Sequence, residues 1–226
     1  MKIAAFMPIK LNNQRLPGKN TRLLGAKPLM YYQQAELLKL KGRLASISVY
    51  CSDPTVKDFL LPGVEFVGRP QRLDGDLVKG NEIYREFINT ADADFYLLDH
   101  ATAPFVKAET IAKMLDAVET GEYDSAFAAY KIQKFLWQNG KPMNFDISNL
   151  PRTQDLEPVY VDQCGPYLFS KELFLKYSRR IGFKPFIQEL NYCEQIDIDT
   201  YEDFELAEKY ISSATSGPGS AVGEKI

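Results

Sequence analysis

Residues 2–41 read KIAAFMPIKLNNQRLPGKNTRLLGAKPLMYYQQAELLKLK, and their order decides the fold class. Residues 2–9 are an apolar run of strand length, and residues 10–26 are a polar loop. Pro28 then opens a helical stretch over residues 29–41, in keeping with proline's tolerance at a first helical position. Further along, Ile47, Val49 and Cys51 alternate with Ser46, Ser48 and Tyr50, the period of a strand over residues 45–51. Apolar runs recur at 64–67, 95–98 and 126–130, and Ile111, Met114, Leu115 and Val118 share one helical face over 109–119. Strands alternating with helices predict an α/β chain whose mostly parallel sheet is covered on both faces.

Residues 132–190 break this rhythm with Pro142, Pro151, Pro158, Pro166 and Pro185. Short aromatic strand candidates at 158–161 and 167–169 fit an insert or protruding arm better than another β–α unit. The alternation returns with a predicted strand at 195–199 and a helix at 201–211, capped by Thr200 with Asp203 at its third position. Residues 212–226, rich in Ser, Gly, Ala and Pro, are predicted to form a disordered tail.

The chain has 226 residues, 45% of them apolar, enough for one domain with a buried core. Its net charge of −3 excludes a general nucleic-acid or anionic-membrane footprint, so any anion site must be built locally. No window approaches the ~18 apolar residues of a membrane span. The first apolar run is too short for a secretory signal. Cys51, Cys164 and Cys193 form no CxxC pair, which argues against a disulfide framework or structural zinc and for a reducing cytoplasm. A single histidine excludes His-rich metal sites.

Lys10, Arg15, Lys19 and Arg22 crowd the loop after the first strand. In open α/β sheets ligands sit outside the carboxyl ends of strands, so these cations face a candidate phosphate site. The loop is neither a Walker P-loop nor GxGxxG, and a solvated basic loop is the competing reading. Near the other end, QIDIDT sets Asp197 and Asp199 against Ile196 and Ile198. On a strand both carboxylates share a face ~6–7 Å apart. Two hard oxygen donors suit Mg²⁺, with phosphates and waters completing its shell. A wet edge strand gives the same pattern.

Six segments in order resemble the cytidylyltransferases that activate acidic nonulosonic sugars, of the acylneuraminate (CMP-sialic acid synthetase) type. They are RLPGKN at 15–20, CSDPTV at 51–56, RPQRLDGD at 69–76, HATAPF at 100–105, TQDLEPVY at 153–160 and IDIDTYEDFELAE at 196–208. The resemblance covers residues 1–211. It implies a Rossmann-like, three-layer nucleotidyltransferase fold, a homodimer formed through the 132–190 insert, and transfer of CMP from CTP to an acidic sugar with release of pyrophosphate. By position it implies Lys10, Arg15 and Lys19 on the triphosphate, these three with Asp199 in catalysis, and Asn20 and Arg69 on the cytidine. Asp197 and Asp199 fall on Mg²⁺, and His100, Arg152, Gln154, Tyr160, Gly165 and Tyr167 around the sugar.

The sequence also departs from that pattern. Lys10 replaces an arginine, residues 11–14 replace a Gly-Gly-Ser-Lys run, His100 stands for a Gln and Cys164 for an Asn. Lysine keeps the charge but loses the bidentate fork. Another sugar acid, another nucleotide, or a binding homologue without turnover are the alternatives these changes raise. Taken as isolated residues, His100 reads as a packed neutral imidazole, Cys164 as a small buried hydrophobe, and Trp137 as a core or dimer contact.

Overall fold

Residues of the first apolar run form the central strand of a sheet. In the computed structural model, which describes residues 1–215, Ile3–Pro8 (β1) pairs in parallel on both sides. A small ladder, Leu23–Leu24 (β2) with Lys27–Pro28 (β3), precedes Ser46–Cys51 (β4), Glu65–Gly68 (β5), Phe95–Leu98 (β6) and Ser125–Ile132 (β7). A second ladder joins Trp137–Gln138 (β8) to Lys141–Pro142 (β9), and Val159–Ser170 (β10) and Pro185–Glu189 (β11) complete the set. Seven strands share one sheet in the order β11-β7-β10-β6-β1-β4-β5. Within it β10 runs antiparallel to β6 and β7, and the other neighbours are parallel. The predicted mixed α/β, mostly parallel architecture is present.

Among the described residues five α-helices accompany the sheet: Leu29–Lys39 (α1), Gly80–Thr90 (α2), Ala108–Glu119 (α3), Lys171–Tyr177 (α4) and Tyr201–Thr215 (α5). Strand alternation sends Ile3, Ala5 and Met7 to one face, where they meet Met30 and Leu37 of α1 and Ile111, Met114 and Leu115 of α3. Ala4 and Phe6 go to the other, against Tyr84 and Phe87 of α2 and Phe174 of α4. Phe6 stacks on Phe87 at 4.2 Å between centroids. Both faces of β1 are covered, which is why its sequence is continuously apolar. A third cluster docks α5 on the basic loop: Phe204 and Ala207 pack with Leu16, Leu24, Leu29 and Ile198.

Several expectations are corrected. Residues 159–161 and 167–169 belong to one strand, β10, which enters the sheet between β6 and β7 rather than lying in an insert, and Pro158 precedes it. The pattern was hidden because its register shifts between Asp162 and Tyr167, where Pro166 cannot donate to a ladder. Pro185 opens edge strand β11, a position proline tolerates. The protruding part is therefore confined to the chain between β7 and β10, which carries the β8–β9 ladder. Helix α2 was not predicted, although Ile83, Tyr84, Phe87 and Ile88 give it a clear apolar face. Residues 195–199 are not a strand; the backbone is a turn followed by an extended segment held by the Ile198 N–H bonding the Thr102 carbonyl at 2.8 Å. Helix α5 runs to Thr215, so the first part of the expected tail is helical, and residues 216–226 lie outside the described residues.

The predicted cap of α5 is formed. The Asp203 carboxylate accepts from the backbone N–H groups of Asp199 (3.0 Å) and Thr200 (2.8 Å), and the Asp203 N–H reaches the Thr200 hydroxyl at 3.3 Å. Asp203→Ala is expected to cost ~1 kcal/mol and about 2–4 °C in melting temperature, read by thermal unfolding.

Candidate active site

Strand order reverses beside β1: the chain proceeds from β1 outward through β4 and β5, then returns to the other flank of β1 as β6. The crevice above the carboxyl ends at such a switch point is where open sheets place ligands. The loop after β1 and the segment before α5 meet there. Lys19 Nζ donates to Asp199 Oδ1 at 3.0 Å and to the Ile198 carbonyl at 2.8 Å, and Arg15 Nη1 donates to Asp199 Oδ2 at 3.0 Å. Lys10 Nζ and Gln14 Nε2 both donate to Asp76, at 3.0 and 2.7 Å. A cavity of about 440 Å³ is lined by Lys10, Arg15, Lys19, Asp76 and Asp199. The two ends of the chain thus build one charged cleft.

Asn20, buried, donates to the Lys10 carbonyl at 2.8 Å and so braces the loop. Arg69 is buried after β5, where Nη2 donates to Asp74 at 2.8 Å and the guanidinium lies 5.9 Å from the Tyr50 ring centre. Lys10, Arg69, Asp76, Tyr84 and His100 line an adjoining cavity of about 320 Å³.

Asp197 lines a mostly apolar cavity of about 670 Å³ with Tyr192, Leu206 and Tyr210. Its Oδ1 is buried without a partner. Burial raises the carboxyl above its ordinary range and the charge of Asp199 adds to this, while Thr102 and Lys19 oppose it. An orphaned buried acceptor beside a second carboxylate is a donor set that a hard divalent cation fits. Among the described residues no cluster of three or more His, Cys, Asp or Glu could hold a metal, so protein alone would not complete such a shell.

Asp99 and His100, at the end of β6, move in opposite directions. Asp99 is fully buried; Oδ1 accepts from the His100 N–H at 2.9 Å and Oδ2 has no partner. Burial pushes its carboxyl up to about 7. Burial, reinforced by the Arg180 charge, brings the His100 imidazole down to about 4. Between about pH 4 and 6.5 the folded chain holds an Asp99 proton that the unfolded chain has released. In the same window it lacks a His100 proton that the unfolded chain binds. The two slopes oppose each other. His100→Asn should therefore make stability fall as pH rises from about 4 to about 7. Asp99→Asn should make it fall as pH drops from about 6.5 to about 4. Each change is on the order of 2–3 kcal/mol by urea unfolding across pH; profiles parallel to wild type would refute the assignment.

Gly165 and Tyr167 stand beside His100. A Cβ on Gly165 would come within 2.6 Å of His100 Nδ1, and its φ of +143° also favours glycine. The Tyr167 ring meets the imidazole edge-on at 6.5 Å. Arg152, Gln154 and Tyr160 are not brought to this cleft within one chain. Arg152 pairs locally with Asp155 at 2.7 Å, and all three side chains are exposed. Cys164 is exposed at positive φ rather than buried, because it sits in the β10 irregularity. Trp137 is exposed on the arm and takes no part in the core. Cys51, Cys164 and Cys193 are all unpaired, as expected. Among the described residues no helix is long and apolar enough to cross a membrane.

Asp74, Asp76, Asp99, Asp162 and Arg180 were missed as site residues. Asp74 and Asp76 lie within RPQRLDGD, and Asp99 and Asp162 accept hydrogen bonds from residues one to five positions on, at His100, Cys164 and Tyr167; Arg180 acquires its place through Tyr84, 96 residues away.

Comparison with known proteins agrees with this geometry. The chain is 20% identical over 215 residues to an N-acylneuraminate cytidylyltransferase of Streptococcus agalactiae, covering 90% of this chain and 52% of that one. It thus spans about half the length of these streptococcal relatives. It is 27% identical to a CMP-N,N'-diacetyllegionaminic acid synthase of Legionella pneumophila, over 92% of this chain and 96% of that one. A solved structure of CMP:2-keto-3-deoxy-manno-octonic acid synthetase with CTP matches the fold at TM-score 0.71 and 16% identity, over 95% of this chain and all of that one. The cytidylyltransferase family model matches residues 4–216, nearly the whole chain and both halves of the cleft, and the chain belongs to the cytidylyltransferase family.

Proposed function

We propose that this protein transfers CMP from CTP to the anomeric hydroxyl of an acidic nonulosonic sugar, releasing pyrophosphate. The observation that carries the reading is the convergence of Lys19 and Arg15 on Asp199 at the switch point of the sheet. A triphosphate entering there would exchange these ion pairs for its own oxygens. Lys10, Arg15 and Lys19 would then neutralise the charge of the departing pyrophosphate, and Asn20 would hold the loop in place. Arg69, fixed by Asp74, would face the cytidine. The anomeric hydroxyl gives its proton to solvent, its oxygen forms the new bond to the α-phosphorus, and the bond from that phosphorus to the pyrophosphate oxygen opposite breaks, its electron pair leaving with pyrophosphate. Positioning and charge neutralisation are what such a displacement requires.

Asp197 and Asp199 would hold Mg²⁺, which when bound supplies further neutralisation at the phosphate oxygens. His100, Gly165 and Tyr167 would line the acceptor pocket. Arg152, Gln154 and Tyr160, exposed on the arm or next to it, fit a homodimer in which they serve a partner's acceptor. The exposed Trp137, Ile147 and Leu150 of the arm support that assembly.

The test is pyrophosphate release with each of the four nucleoside triphosphates against a panel of acidic sugars. Release with CTP and a nonulosonic acid alone is the expected result. Release with another nucleotide would redirect the reading, and CTP binding without any release would favour a module that has lost turnover.

A further inference from the structure

The turn at residues 178–181 closes against the first turn of α2 and leaves a cavity of about 460 Å³. Lys79, Arg179 and Arg180 line it, and no carboxylate does. Three cations lining one cavity are a local excess in a chain of net charge −3. The walls are tied together: Asn81 Nδ2 donates to the Ser178 carbonyl at 2.8 Å, and Arg85 Nη2 to the Ser178 hydroxyl at 2.6 Å. Gly80 is the residue that leaves room for Tyr84, since a Cβ there would meet the Tyr84 hydroxyl at 2.8 Å.

Arg180 is held while its donors stay available. Its guanidinium carbon lies 3.9 Å from the centre of the Tyr167 ring, and Nη1 reaches the Tyr84 hydroxyl at 3.4 Å. Asp162 Oδ2 forms a long ion pair with Nη2 at 3.9 Å, outside hydrogen-bond range, while its Oδ1 accepts from the Tyr167 hydroxyl and the Cys164 N–H. Arg179, by contrast, donates to the Gly182 carbonyl at 2.9 Å. A guanidinium supported on an aromatic ring with free donors suits bidentate capture of a carboxylate.

The cavity adjoins the nucleotide cleft, because Tyr84 lines both it and the cavity of Lys10, Arg69 and His100. Arg180 and His100 both stand against the Tyr167 ring, the guanidinium at 3.9 Å and the imidazole edge-on at 6.5 Å, so the cation lies one ring away from the strand end at the cleft. In a nonulosonic acid the carboxylate is attached to the anomeric carbon itself. A group that reads it must therefore stand beside the point where the anomeric oxygen meets the α-phosphate.

We infer that the Lys79–Arg179–Arg180 cavity receives the acceptor's carboxylate, with Arg180 as the residue that selects an anionic acceptor over a neutral one. The inference rests on the reaction proposed above, but it is tested by binding. Calorimetric titration of the full chain would use N-acetylneuraminic acid and 2-keto-3-deoxyoctonic acid, each beside its methyl ester, and CTP separately. The acid that binds is expected to bind ~10–100-fold more tightly than its ester, the scale of a charge-assisted pair. Arg180→Gln should remove that preference while leaving ester and CTP affinities within about twofold, and Arg180→Lys should retain part of it. Unchanged CTP binding shows that the variants fold. Equal acid affinity in wild type and Arg180→Gln overturns the inference, as does equal loss of acid and ester, or no acid binding to wild type. Absent pyrophosphate release in a wild-type protein that still prefers the acid would instead overturn the reaction and leave Arg180 in place.

Discussion

Replacing Lys19 with alanine is expected to lower turnover at saturating CTP by ~10²–10³, the scale of losing one preorganised charge stabiliser. Lys19 is only 8% exposed, and its ammonium is fixed by the Ile198 carbonyl and Asp199. The Ile198 carbonyl keeps hold of the ammonium when phosphate oxygens take the place of Asp199, so the charge needs little reorganisation when negative charge builds on a leaving pyrophosphate. It also works where water screens it weakly, so its effect exceeds that of a surface lysine. Arg15, whose side chain is 68% exposed in its pair with Asp199, should cost less when removed. Pyrophosphate release checks the rate, and a melting curve checks that the truncated loop still docks. A near-wild-type rate at saturating CTP would take Lys19 out of the mechanism.

Asp199→Asn is expected to lower turnover on the order of 10³-fold, several kcal/mol of charge stabilisation, and to raise the Mg²⁺ requirement at least ~10-fold. Asparagine keeps the shape and can accept one hydrogen bond, so the fold is preserved while the charge shared by Lys19 and Arg15 is lost. The Asp199 N–H still donates to Asp203 and holds the backbone. Loss of that charge also relieves Asp197, whose carboxyl it helps to raise, so the change is specific to the carboxylate couple. Mn²⁺ binding followed by electron paramagnetic resonance with CTP present reads the metal apart from the rate. An unchanged metal titration in both assays would make the couple structural.

The architecture was legible where side chains obey a period. Residues 46–51 alternate and form β4, and the face of Ile111, Met114, Leu115 and Val118 forms α3. The cap by Thr200 and Asp203 was legible because it spans only one helical turn. β10 was not, because the Cys164-Gly165-Pro166 irregularity cuts one strand into two short runs. For Asp197 and Asp199 the alternation suggested a strand, but the segment is extended without a sheet partner. Asp199 lines the cleft of the basic loop, and Asp197, close enough to feel its charge, also borders the apolar pocket.

Binary patterning and local charge are properties of neighbouring residues, and they are enough to specify the layered α/β class, the cationic loop after the first strand and the two late aspartates. Tertiary structure alone decided that Arg15 and Asp199, 184 residues apart, share an ion pair, that Asp76 holds Lys10, and that Arg180 lies over Tyr167. Such pairings depend on which strand ends stand side by side. That order is set by how seven strands pack between two helical layers, and it leaves no periodic trace along the chain.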